Sequence, residues 1–230
     1  MKGLLARKVK SVRFFTKDYR WIQGTLIEIP DNFILEKKTI EKNNYQSLKL
    51  GIVDKKVNLS NKPELGIYKK IGLNTPKKFV KEIRNFETDK NCGDKLDLSI
   101  FAVGDLVDVQ TLSKGKGFSG VIKRWNHSRG PMGHGSGYHR GIGSMGSINP
   151  SRVFKNKKMA GHLGNQLTTV QNLVIVHIDL ENKYLIVKGS TPGNNNQFVV
   201  IKSAVKDKKH YFKPSLFENP VKNSQERANV

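Results

Sequence analysis

The sequence predicts a mainly β protein: a barrel or sandwich of short strands, with a small α+β elaboration and a long, glycine-rich basic extension. Three observations lead there. Apolar residues alternate with period two in six to eight short runs, rich in β-branched side chains and bounded by turn residues. Helical periodicity is scarce. Between Asp108 and Asp179 the chain loses its carboxylates altogether and gathers glycine instead.

In chain order, the first strand-like run is Thr25-Leu26-Ile27-Glu28-Ile29, followed by Phe33-Ile34-Leu35 and Ser47-Leu48-Lys49-Leu50-Gly51-Ile52. Asn61-Lys62-Pro63-Glu64 has the composition of a helix start, and the spacing puts Ile67 and Ile71 on its inward face. Residues 79–86 fit a strand or a helix equally. Residues 95–100 alternate, as do Leu106-Val107-Asp108-Val109. Two further runs, 173–178 and 184–187, flank residues 179–183, which read as a hairpin turn, and 198–201 is the last strand.

These runs divide the chain. Residues 1–112 and 166–206 supply the β core, with 55–91 as an elaboration on it. Residues 113–165 are an insertion between two core strands. Residues 207–230 are polar, carry Pro214 and Pro220, and read as a disordered tail. More than fifty residues without clear secondary structure inside a compact domain point to a function in that segment.

Charge says what kind. Lys and Arg number 41 against 19 Asp and Glu, a formal net charge of +22. A surface this basic attracts polyanions. The 70 residues from Val109 to Ile178 hold no acid, where the chain's own acid frequency would give about six. They hold ten cations: Lys114, Lys116, Lys123, Arg124 and Arg129, then Arg140, Arg152, Lys155, Lys157 and Lys158. Twelve of the 21 glycines fall between Gly115 and Gly164. A segment purged of carboxylates suits contact with phosphates, where each Asp or Glu would be repelled. Aromatic residues are interleaved with these charges, most densely in Lys123-Arg124-Trp125-Asn126-His127. Ring faces that stack on bases beside cations that pair with phosphates suit folded RNA. Phe118 and Trp125 could alternatively anchor the base of the loop as core residues.

Other classes find little support. No run reaches the ~18 apolar residues of a membrane span, and neither a basic amphipathic helix nor an acylation motif is present. Met1-Lys2-Gly3-Leu4-Leu5-Ala6-Arg7-Lys8 meets charge before a signal-peptide apolar stretch forms, which reads as cytoplasmic. The single Cys92 excludes a disulfide framework. Gly115-Lys116-Gly117-Phe118-Ser119-Gly120 matches G-x-G-x-x-G, yet no acid follows at the distance a dinucleotide ribose needs. It reads better as a tight turn that brings backbone N–H groups and two lysines close to phosphate. His127, His134, His139 and His162 share the stretch, but no carboxylate or thiolate completes a metal shell. The imidazoles fit hydrogen bonding and stacking on RNA instead. No cofactor, metal, small-molecule substrate or catalytic residue is expected. The alternatives are an RNA-processing or nucleotide-using enzyme, or a free nucleic-acid chaperone.

Ser113-Lys114-Gly115-Lys116-Gly117-Phe118-Ser119-Gly120-Val121-Ile122-Lys123-Arg124 resembles the signature of the bacterial-type large-subunit ribosomal protein L-three family. The likeness continues through Ser128-Arg129-Gly130-Pro131-Met132, His139-Arg140, Lys157-Lys158-Met159-Ala160-Gly161 and Thr169-Val170-Gln171-Asn172-Leu173, and spans residues 1–206. It implies a translation-factor-like β-barrel with an inserted α+β part and an extension that threads into rRNA. It further implies a structural role in the large ribosomal subunit, direct binding of large-subunit (23S) rRNA, contacts with neighbouring large-subunit proteins and early action in assembly. The extension tip, carried over to Gly143, Ser144, Met145, Gly146, Ser147, Ile148 and Asn149, is implied to approach the peptidyl-transferase centre. The run Lys10-Ser11-Val12 stands where the family usually has Gly-Met-Thr.

Overall fold

The structure, a computed structural model, describes residues 1–15, 19–86 and 88–206. The tail expected to be disordered, with Tyr211, Phe212, Leu216 and Phe217, lies outside the described residues. The chain falls into two compact units, one of Met1–Thr111 with the chain from Thr168 onward, the other of Leu112–Leu167.

The fold is mainly β, as the alternating runs predict. In the first unit six strands close a barrel in the order β1 (Gly3–Phe15), β12 (Phe198–Ser203), β7 (Leu106–Leu112), β10 (Leu167–Asp179), β11 (Tyr184–Lys188) and β2 (Trp21–Glu28). Closure removes the unpaired edges that an open sheet of this length would expose. The turn from β10 to β11 is held by Asn182, which donates from its backbone and side-chain amides to the two carboxylate oxygens of Asp179. Those bonds lower the Asp179 pKa.

The runs at 33–35 and 47–52 leave the barrel. They lie in β3 (Asn32–Lys38) and β4 (Ser47–Asp54) of a four-stranded sheet, ordered β5 (Lys77–Arg84), β4, β3, β6 (Lys95–Leu96). The ambiguous residues 79–86 resolve as strand over most of their length. The alternation at 95–100 misleads. Only Lys95–Leu96 is strand, and a 3-10 turn at Leu98–Ile100 follows, burying Leu98 and Phe101. Among the described residues there are three short α-helices: α1 (Ile40–Asn43), α2 (Lys62–Lys70) and α3 (Val121–Trp125). Pro63 lies in the first turn of α2, where its missing N–H costs nothing, and Gly72 follows the helix at φ +79°. Its buried residue is Tyr68, while Ile67 stays exposed, so the expected inward face is wrong in phase.

The longest element absent from the sequence-based strand set is β1. Leu4, Leu5 and Ala6 are all fully buried, so this half of the strand has no polar face to alternate with. They belong to a core shared by the barrel strands and by Ile34, Leu48, Leu50, Ile52 and Ile83 of the four-stranded sheet. The far half of β1 packs into a smaller core of Phe14, Ile22, Leu26, Val176 and Ile186.

Candidate nucleic-acid interface

The second unit begins where β7 ends and returns into β10, its neighbour in the barrel. Its two limbs are laced together near their roots. Ser113 N–H donates to the Gln166 carbonyl at 2.9 Å, and Gln166 N–H to Ser113 Oγ at 3.2 Å. Lys116 N–H donates to the Leu163 carbonyl at 2.9 Å, Leu163 N–H to the Gly117 carbonyl at 3.0 Å, and β8 (Phe118–Ser119) pairs with β9 (Gly161–His162). Gly164, at φ +78°, takes a backbone conformation that disfavours side chains, and a Cβ there would collide with the Lys114 carbonyl. The expected phosphate-cradling turn is therefore partly internal. The Lys116 amide serves the ladder, while the Lys114 and Lys116 side chains stay exposed.

Beyond the ladder, Gly120 leads into α3, and Asn126 ends it in the left-handed region at φ 57°. The unit buries only Ser119 and Val121 of its 56 residues. Phe118 is 81% exposed and Trp125 39%, so the alternative of two aromatic core anchors is wrong for both, and Val121 takes that place.

Arg124, Trp125 and Lys158 come together. Arg124 Nη1 and Trp125 Nε1 both donate to the Met159 carbonyl at 2.9 Å. The guanidinium lies 5.0 Å from the centre of the indole ring, and Lys158 Nζ lies 5.7 Å from it. Two cations thus share one aromatic face system with no carboxylate in the unit to neutralise either. Gly161 makes room for the guanidinium, since a Cβ there would strike Arg124 Nη1.

The middle of the segment is looped. Gly130 N–H donates to the His139 carbonyl, and His139 Nδ1–H donates to the Pro131 carbonyl, both at 2.8 Å. Gly143 N–H donates to the Tyr138 hydroxyl at 3.4 Å. Ser144 Oγ and Gly146 exchange hydrogen bonds, Ser151 N–H reaches the Ile148 carbonyl, and the Ile148 side chain is 92% exposed. Lys123, Arg129, His134, Arg140, Arg152, Lys155, Lys157 and Lys158 are exposed, whereas Arg124, His127 and His139 are half-buried. No Lys or Arg of the segment is in an ion pair among the described residues, where the pairs involve the first unit alone. Among the same residues no group of three His, Cys, Asp or Glu could hold a metal ion, and no helix is long and apolar enough to cross a membrane.

Met159 and Gly161 are the structural residues that the sequence did not single out for these contacts. Backbone carbonyls and absent side chains leave no compositional signal.

A sequence profile of the family described as Ribosomal protein L3 matches residues 79–182, a stretch that contains the whole segment. Curated relatives match far more of the chain. The large ribosomal subunit protein uL3 of Spiroplasma kunkelii is 51% identical over 96% of this chain and 85% of its own length. That of Mycoplasma capricolum is 53% identical over 90% of this chain and 92% of its own length. The chain belongs to the ribosomal protein L3 family. The likeness holds beyond these relatives, since the uL3 protein of Listeria welshimeri is 47% identical over 90% of this chain and 99% of its own length. Ribosomal protein L3 is a structural family, not an enzymatic one, which removes the nucleotide-using and RNA-processing alternatives.

Proposed function

We propose that this ribosomal L3 protein is a structural constituent of the large ribosomal subunit that binds 23S rRNA directly through residues 113–165. The observation that carries this is a 56-residue unit with two buried side chains, no carboxylate and unpaired exposed cations. Such a unit has almost no apolar interior to hold it, and its surface is complementary to crowded phosphates. Lys114, Lys116, Lys123, Arg129, Arg140, Arg152, Lys155, Lys157 and Lys158 face phosphates; the open rings of Phe118, Trp125, Tyr138 and Phe154 face bases. His127, His134 and His139 add hydrogen bonds. Arg124 has a double part, holding Met159 while keeping its charge.

The barrel unit carries its own core, so it can stand folded before the segment meets RNA, which suits early action in subunit assembly. Gly143 to Asn149 is the part directed towards the peptidyl-transferase centre. The catalyst there is RNA, and the protein positions it. Neighbouring large-subunit proteins are the remaining partners.

The test is the salt dependence of binding to large-subunit rRNA. If about ten phosphates are neutralised, log affinity falls against log salt with a slope near −7 to −9. A slope shallower than about −3 contradicts an extended phosphate contact. Substitutions at Ser144 or Ile148 should alter peptidyl transfer in assembled subunits, and unchanged transfer contradicts the placement of the tip.

A further inference from the structure

The β1–β2 ribbon has two unlike faces. Its inner face places Phe14 and Ile22 in the smaller core with Leu26, Val176 and Ile186. Gly24 gives the Phe14 ring its space, since a Cβ there would lie 2.9 Å from Phe14 Cε1. The apolar needs of the ribbon are met on that side. On the outer face the strand register sets Phe15 opposite Trp21 and Arg13 opposite Gln23. The Phe15 and Trp21 rings lie 5.0 Å apart, and Tyr19 meets Phe15 edge-on at 5.9 Å. Yet Trp21 is 72% exposed and Tyr19 79%. Large aromatic rings open to solvent, on a ribbon that already has a core, mark a contact surface.

The charge around them selects the partner. Residues 9–23 contain four Lys or Arg against one acid, Asp18. Arg13 is exposed on the outer face itself. Cations beside an open ring face suit an unpaired base and its phosphates.

We propose that the outer face of the β1–β2 ribbon is a second RNA-contact site, where an unpaired nucleobase stacks on Trp21 beside Tyr19 while Arg13 meets the adjoining phosphate. It shares no residue with the 113–165 segment. This rests on the reading of the chain as an rRNA-binding protein and adds a specific site to it.

The full chain and its Trp21→Ala and Trp21→Phe variants are titrated with 23S rRNA across a salt series. Removing the ring weakens binding by about 5- to 100-fold. The salt slope stays unchanged, because no phosphate contact is lost. Trp21→Phe keeps a stacking face and binds within about threefold of the unaltered chain. Ultraviolet crosslinking places an RNA adduct on the peptide containing Tyr19 and Trp21. Trp21→Ala binding within twofold of the unaltered chain, or Trp21→Phe as weak as Trp21→Ala, overturns the site while the rRNA-binding reading stands. Failure of the unaltered chain to bind 23S rRNA overturns both.

Discussion

Asn32 completes the open edge of the first barrel strand at Leu5. Its Oδ1 accepts the Leu5 N–H at 2.8 Å and its Nδ2 donates to the Leu5 carbonyl at 3.0 Å. Between Gly3 and Ala6, β1 pairs with β12 on one side, and β2 joins the other side only from Arg7. The Asn32 amide stands in for the missing strand, and both residues are fully buried. One side chain therefore supplies a donor and an acceptor in the geometry a backbone would.

Asn32→Leu removes the partners of two buried main-chain groups. The variant should lose about 2–4 kcal/mol of unfolding free energy. Urea denaturation of the full chain measures it, and an unchanged midpoint would show that the amide is dispensable. Asn32→Asp should fail too, because a carboxylate cannot donate to the Leu5 carbonyl.

Arg124 and Lys158 both neighbour Trp125 but do different things. Arg124→Ala breaks a charge-assisted bond to the Met159 carbonyl, so amides at 159–163 should exchange about tenfold faster in the free chain, while barrel amides hold their protection. Lys158→Ala breaks no such bond and should leave that exchange unchanged. It should instead make the salt slope of rRNA binding shallower by about 1. Equal effects of the two variants on exchange would contradict the division.

Asp108 is buried in the barrel wall, with Oδ1 accepting Asn172 N–H at 2.9 Å and Oδ2 accepting Val205 N–H at 3.3 Å. Asn172 sits in the left-handed region at φ 58°. Asp108→Ala leaves that left-handed stretch of β10 unsupported and should lower the unfolding free energy by about 1–3 kcal/mol. A midpoint equal to that of the unaltered chain would show that water replaces the carboxylate.

Acid should unfold the first unit from its ion pairs. Hydrogen bonds from Lys183 and Lys95 hold the Asp31 pKa below its usual value, Lys77 does the same for Asp54, and Lys38 with Tyr45 for Glu82. Folded-state values below the unfolded ones mean the stabilisation is complete above about pH 4–5 and disappears as pH falls through the lower folded values. The urea midpoint should be level from pH 7 to about 5 and drop below about 4. Asp31→Asn should flatten part of that drop, and a midpoint that rises in acid would contradict the sign.

Much of the barrel is legible in the sequence because its strands are short apolar runs rich in β-branched residues and bounded by turn residues. Residues 184–187 and 198–201 show this plainly, with Leu185 to Val187 and Val199 to Ile201 all buried. β1 is hidden because its first half lacks that composition. Leu4, Leu5 and Ala6 are buried on both faces, and then Lys8, which reads as a solvated charge, is itself buried with Nζ donating to the carbonyls of Thr191 and Gly193. Those partners lie more than 180 residues away, beyond any local pattern. At 95–100 the alternation is real, but Leu98 and Phe101 are buried across a 3-10 turn. In the segment, net charge and the missing acids are properties of composition and survive without a structure. The grip of Arg124 and Trp125 on Met159 ends at a carbonyl that every residue possesses, so no residue type announces it.

The segment departs from β7 and comes back through β10, strands that already lie side by side, and Ser113 and Gln166 fasten the two limbs at the root. A splice just outside that fastening could be bridged by an ordinary short hairpin turn. The length and composition of the arm can therefore change with no renegotiation of how the barrel shuts.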